Sequence, residues 1–302
     1  MLAIRRKVTL FFALLALAAA PAKAQDRQHE LFKKLHLVTS PVTLGDGVAT
    51  LKPGPAFAYL SPADAEVFLT QLWRNEQGSG RQSLGVLLPL DADALGSDAW
   101  AIVLDYKADG YVSDADAKTI DYDKLLQQMQ QDTAQSSKRR EQNGLGAVAP
   151  LGWAKRPCYD PATHKLYWAK RLRFGGDDQE TLNYFIRALG RSGVLQLNVV
   201  APMGRLSIVD RRLPELLATV AFNPGYTYGE FDPKLDRTAG YTIAGLIAGG
   251  VLAKAGFFKA FWLGILALKK FGIVGVVALF GAISTFFKRL FGRRAPGPTD
   301  NS

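Results

Sequence analysis

The sequence predicts an α+β fold: an exported domain with a mainly antiparallel sheet and packed helices, followed by a C-terminal transmembrane helix or helical hairpin. Three observations predict it. Strand-like runs cluster in the middle of the chain, with helical patterns before, between and after them. The first residues have the layout of a secretory signal, and the stretch from Ala239 to Phe287 is almost wholly apolar, glycine-rich and free of acids.

Residues 1–24 read as a signal peptide. Arg5, Arg6 and Lys7 form a positive start, Val8 to Ala20 an apolar run, and Ala22-Lys23-Ala24 a small-x-small site. Cleavage between Ala24 and Gln25 is therefore expected, the alternative being an uncleaved N-terminal anchor. No cysteine stands directly after the apolar run, and Cys158 is the single cysteine of the chain, so no internal disulfide can form. Residues 25–38, with His29 and His36, read as a linker, and 39–237 as the exported domain, long enough to be held by its own core.

Within that domain, "PVTLGDGVATLKP" is two short alternating runs around Gly45-Asp46-Gly47, a hairpin by turn chemistry. "SPADAEVFLTQLWRN" opens a helix with Ser61 as cap and Pro62 at the first helical position, and sets Ala65, Phe68, Leu69 and Leu72 on one face. "SLGVLLPL" and "AWAIVLDY" read as buried strands. A long polar helix over "DYDKLLQQMQQDTAQSSKRREQNG" carries a narrow stripe of Leu125, Leu126 and Met129 and stops at Asn143-Gly144. Four strand-like runs follow, Ala147 to Lys155, Leu166 to Phe174, Glu180 to Leu189 and Gly193 to Val200. The last amphipathic helix, Gly204 to Ala221, offers Leu206, Val209, Leu213, Leu216 and Leu217 to a core.

The apolar region over 239–289 reads as membrane segments, and 290–302 as a basic, disordered tail. Gly240 to about Phe258 has the length of one spanning helix, with Lys254 and Lys259 placed to reach the headgroups. Phe271 to Phe287 is either a second arm of a hairpin, an interfacial segment or the one crossing. The lysines favour an inside position for the C-terminal side and an inner-membrane protein whose main domain lies on the periplasmic side. The lipid bilayer is thus the first expected partner, an envelope protein the second, and Gly245-x-x-x-Gly249 a surface where another copy could seat a helix. Of the formal +10, residues 1–24 hold +4 and residues 238–302 hold +7, which leaves −1 for residues 25–237. The domain itself is not basic, and no nucleic-acid partner is expected.

"WAKR" occurs twice, at Trp153–Arg156 and Trp168–Arg171, separated by a turn with Asp160-Pro161. The two runs should pair as antiparallel strands with Trp153, Lys155, Trp168 and Lys170 alternating. Lys155, Arg156, Lys170, Arg171 and Arg173 then line the hairpin, either as an anion or headgroup site or as a solvated edge that resists aggregation. "DYKADGYVSDAD", Asp105 to Asp116, imitates a calcium loop, with Asp109, Gly110 and Asp116 in place. Lys107 stands where a ligand oxygen is needed and a strand precedes the loop, so it reads as a turn, with Ser113 capping a short helical turn. No metal site and no cofactor are expected. No Gly-x-Ser-x-Gly, Ser-x-x-Lys or His-Glu-x-x-His set occurs, and Cys158 with His164 in one turn reads as incidental.

"DGYVSDADAKTIDYDKLL", "GWAKRPCYDPATHKLYWAKRLRFG", "TLNYFIRALGRSGVLQLNVV" and "AGLIAGGVLAKAG" together resemble a family of bacterial membrane-anchored proteins known as a domain of unknown function, DUF2167, over about Gly45 to Arg289. The resemblance implies an envelope protein with an exported domain and C-terminal membrane segments, and brings no catalytic residues. Arg187 and Arg191 of "LNYFIRALGR" lie one helical turn apart or on one strand face and could both pair with acids of the core, with nothing there to favour a ligand. Two functions fit these readings: a non-enzymatic envelope protein whose exported domain binds a ligand or partner, and an envelope hydrolase. A deep polar cleft around Cys158 and His164 would favour the second.

Overall fold

The computed structural model describes residues 22–75, 77–142, 148–174 and 180–249. Its centre is a seven-stranded antiparallel sheet in the order β3-β4-β5-β10-β9-β8-β7. The strands are β3 (Phe57–Leu60), β4 (Gly85–Pro89), β5 (Ala101–Lys107), β7 (Val148–Asp160), β8 (Lys165–Phe174), β9 (Glu180–Leu189) and β10 (Val194–Pro202). The four long strands fall where alternation and turn residues set them, and the sheet is mainly antiparallel as expected. The Gly45-Asp46-Gly47 hairpin forms too, as β1 (Val42–Leu44) with β2 (Ala49–Leu51), extended by β11 (Val220–Phe222).

Each face of the sheet is covered differently. On the first, Ile102, Leu104, Tyr184, Ile186, Leu195 and Leu197 meet Val209, Leu213 and Leu216 of α4 (Leu206–Ala218) and the small sheet. The second face carries two separate apolar clusters. One, at the β3–β4 side, packs Leu60, Val86 and Leu88 under α1 (Ala22–Phe32) and α2 (Pro62–Val67), which runs on into a π-helical turn over Phe68–Leu72. The other, at the β8 side, packs Leu166, Trp168 and Leu189 under Met129 of α3 (Tyr122–Gln142), Val112 of β6 (Tyr111–Ser113) and α5 (Ile243–Ile247). Burial of each such large side chain contributes about 1.5–3 kcal/mol.

Three expectations are corrected. The stretch read as a linker is helical from Ala22 to Phe32, Leu35 is buried, and Val38 bridges to Tyr59. Phe32 contacts Phe68 with ring centroids 6.3 Å apart, and this docking holds a helix whose own composition is mostly polar. The helix expected to reach Ala221 stops at Ala218, because Val220 to Phe222 pair with β2. Finally, the apolar segment expected to start a membrane helix at Gly240 begins inside the domain. Thr238–Thr242 form β12, which pairs with β6, and Ile243, Gly245, Leu246 and Ile247 of α5 are buried. Gly245 is therefore packed within the domain and not on a lipid-facing helix, and Gly249 follows the end of α5 with φ 88°. Among the described residues no helix is long and apolar enough to cross a membrane. Residues 250–302 and 1–21, with most of the expected membrane segments and signal, lie outside the described residues, as does the side chain of Ala24.

The calcium-like stretch is used structurally. Gly110 turns the chain at φ 106°, where a Cβ would stand 2.5 Å from the Arg237 carbonyl oxygen. Asp109 accepts from the Tyr241 hydroxyl at 2.7 Å. Asp116 accepts from Thr242 Oγ1 at 2.6 Å and from the backbone N–H groups of Ile243 and Ala244 at 3.2 and 3.1 Å, which makes it the cap of α5.

Candidate functional site

The five basic residues expected to line one hairpin are divided. β7 and β8 pair Trp153 with Lys170 and Lys155 with Ala169, with register shifts on both sides of Lys155. Those shifts break the two-residue alternation, so Trp153 joins the cluster under α3 while Lys155 reaches the opposite face and donates to Asp210 at 2.6 Å. Arg156 donates to Asp123 at 3.0 Å, and Arg171 grips Glu180 through two bonds of 2.9 and 3.1 Å, with Arg173 at 3.4 Å from the same carboxylate. These four are ion-paired. Lys170 is not.

Lys170 belongs to a polar trough that crosses the second face between its two apolar clusters. Cross-strand register sets Asp105, Gln196 and Arg187 in one row of β5, β10 and β9. The next rows hold Asn198 beside Phe185, and Asn183 beside Lys170 on β8. Arg187 and Asn183 are each 7% exposed and Gln196 9%. The Arg187 guanidinium donates through Nη1 to the Ile186 carbonyl at 2.8 Å and through Nη2 to Asn198 Oδ1 at 2.8 Å, and lies 5.3 Å from the rings of both Trp168 and Phe185. Lys170 Nζ sits 5.1 Å from the same Phe185 ring. Two cations thus share one aromatic platform, and among the described residues neither has a carboxylate within ion-pair distance.

Electrostatics follow from that arrangement. Burial, and then the neighbouring Arg187, push the Lys170 ammonium down to about 7. Burial pushes Arg187 down to about 9, against the pull of Asp105 and Tyr241, so it stays charged at neutral pH. Asp105 is raised by its own burial, which outweighs the Tyr106 N–H it accepts at 2.8 Å and the cations near it. Trp168 Nε1 is buried with no hydrogen-bond partner among the described residues. Arg191, unlike Arg187, meets the expected acid, Asp236, at 2.7 Å.

The signal that could have found the trough was present. In "TLNYFIRALG" the polar residues Thr181, Asn183 and Arg187 share one parity, and in "VLQLNVV" so do Gln196 and Asn198. Cavities lie elsewhere on the domain. One of about 510 Å3 opens between the Lys52–Phe57 segment and the Arg212 side of α4, and one of about 280 Å3 beside His164. Cys158 is exposed and does not line the second.

No curated protein matches the chain. Among solved structures, the chain is similar to cyanobacterial PsbP (CyanoP) from Synechocystis sp. PCC 6803 at 6% identity, over 61% of this chain and 92% of that one, with a TM-score of 0.35. It is similar to a point mutant of the protein Mog1 at 12% identity, over 62% of this chain and 96% of that one, with a TM-score of 0.31. Both are loose likenesses. Residues 36–280 match the family model described as "Protein of unknown function (DUF2167)", and the chain belongs to that family.

Proposed function

We propose that the chain is a membrane-anchored envelope protein whose exported domain binds, without catalysis, an anionic ligand with an apolar or aromatic portion in the trough around Lys170 and Arg187. One observation carries the ligand: two cations on a shared Trp168–Phe185 platform with no ion-pair partner among the described residues. Removing a charge from water costs several kcal/mol per ion unless a counter-charge offsets it, and an incoming anion would do so. Phe185, which is half-buried, supplies apolar ring surface beside the charges, with the buried Trp168 stacked against it. The membrane anchor is supported by the apolar, acid-free sequence to Phe287 and by the signal-like first residues.

Isothermal titration of 2-naphthyl phosphate into the detergent-solubilised full chain tests the binding. Lys170→Met and Arg187→Met should each weaken it at least tenfold, while Lys155→Met, on the opposite face, should leave it unchanged. Absence of binding, or equal binding to the folded Lys170→Met protein, overturns the reading.

A further inference from the structure

Two features that stand apart in the sequence, the Asp114 end of the calcium-like stretch and His164 of the "PCYDPATHKLY" turn, meet in the fold. Tyr159 on β7 joins them: its hydroxyl donates to Asp114 Oδ2 at 2.7 Å and lies 3.0 Å from His164 Nδ1. A phenol has one proton to give. With that proton directed at Asp114, His164 Nδ1 must carry its own hydrogen and donate to the Tyr159 oxygen. Nε2 is then left as an acceptor, and it makes no bond among the described residues. The imidazole is also fixed in place, stacked on the Tyr228 ring with centroids 4.1 Å apart, and Tyr228 is itself anchored by donating to the Val112 carbonyl at 3.0 Å.

His164 holds φ 50°, a left-handed conformation that costs a side-chain-bearing residue of the order of 1 kcal/mol. His164 lines the cavity of about 280 Å3. The rest of its wall is mostly apolar, with Leu195, Val220, Phe222 and Tyr228 among the lining residues. Lys165 also lines it, with its ammonium donating to the carbonyls of Leu217 in α4 and Val220 in β11. The volume suits a molecule of fragment size.

We propose that this cavity is a binding site for a small, neutral, largely apolar molecule bearing one hydroxyl group, such as a phenol, whose proton is accepted by His164 Nε2. Asp114 and Tyr159 act as positioning residues: they hold the tautomer that makes Nε2 an acceptor, much as a carboxylate orients an imidazole in hydrolytic sites. Without a nucleophile beside the ring, the arrangement is read as recognition. The site is independent of the trough and shares none of its residues.

The full chain, labelled with 15N at its three histidines and held in detergent micelles, gives a spectrum simple enough to read His164 directly. Free protein should show His164 as the Nδ1–H tautomer. Saturating p-cresol should shift the His164 Nε2 resonance, while toluene, which lacks the hydroxyl, should not. Tyr159→Phe should release the tautomer and abolish the p-cresol effect. An Nε2–H tautomer in the free protein overturns the proposal, as does a p-cresol response no larger than that of toluene, or one that survives in Tyr159→Phe. Should Tyr159→Phe fail to fold, the comparison of p-cresol with toluene on the unaltered chain still decides the matter.

Discussion

At the scale of single residues, buried charge is handled in opposite ways at two places. Glu66 is 7% exposed, yet its carboxylate accepts from the backbone N–H groups of Gly78 at 2.7 Å, Gly80 at 2.9 Å and Arg81 at 3.1 Å. Burial raises its pKa, but the three donors together outweigh that and hold it below the ordinary glutamate value. Gly80 is needed there because a Cβ would fall 2.0 Å from the Glu66 nitrogen. A carboxyl whose folded pKa is depressed contributes stability above its ordinary pKa, and that contribution is lost as pH falls. Glu66→Gln should therefore cost about 2 kcal/mol at pH 7 and progressively less as pH falls below the ordinary glutamate value and through the lowered one, as read from urea unfolding across that range. Lys170 shows the reverse. Its folded value of about 7 lies below that of an exposed lysine, so over the interval between them the unfolded chain binds the extra proton and stability rises with pH. Because the side chain is only half-buried, solvent screens part of the cost. Lys170→Met should stabilise the protein by about 1–2 kcal/mol near pH 6 and flatten the rise in melting temperature towards pH 9, while removing a ligand contact. The sequence marked Lys170 as a possible anion contact but could not separate it from Arg171, because residue type alone does not say which of two adjacent cations meets an acid. For the same reason the sequence leaves open whether Arg187 meets a core acid, as Arg191 does with Asp236.

At the scale of elements, the long strands were legible and the short ones were not. β8, β9 and β10 are each nine or ten residues long with clear alternation, which is enough for periodicity to speak. β6, β11 and β12 have three to five residues and exist because a distant partner completes their hydrogen bonds. The same holds for α1, whose docking rests on Leu31, Phe32 and Leu35 against the Phe68 cluster, a pattern too sparse to separate from a linker. α5 was read as part of an apolar membrane segment because hydropathy cannot tell a buried core helix from the start of a spanning one. Its cap is the sharper sign of its role. Asp116→Ala should destabilise the protein by about 1–2 kcal/mol through loss of the bonds to Thr242, Ile243 and Ala244, measured by chemical unfolding. Millimolar calcium should leave the melting temperature of the unaltered protein where it is, since a cation would have to draw Asp109 from Tyr241 and Asp116 from α5.

At the scale of the whole molecule, composition separated a near-neutral domain from a basic, apolar C-terminal region, and the described fold shifts that division to Gly249. The orientation proposed for the C-terminal region can be tested with reporters that work on only one side of a membrane, fused after Lys270 and after Arg294. A single crossing that leaves the C-terminus inside predicts cytoplasmic activity at both sites. A hairpin predicts cytoplasmic activity at Lys270 and periplasmic activity at Arg294, and periplasmic activity at Lys270 would mean that the segment before it does not cross. The pairing of β12 with β6, followed at once by the buried α5, also has a mechanical meaning. Tension on the chain beyond Gly249 arrives first at Ile243, Leu246 and Ile247 and at the Asp116 clamp, and then at β6, three residues from the end of β5. A tug at the C-terminal end of the domain therefore loads the β12–β6 pair, three residues from the strand that carries Asp105.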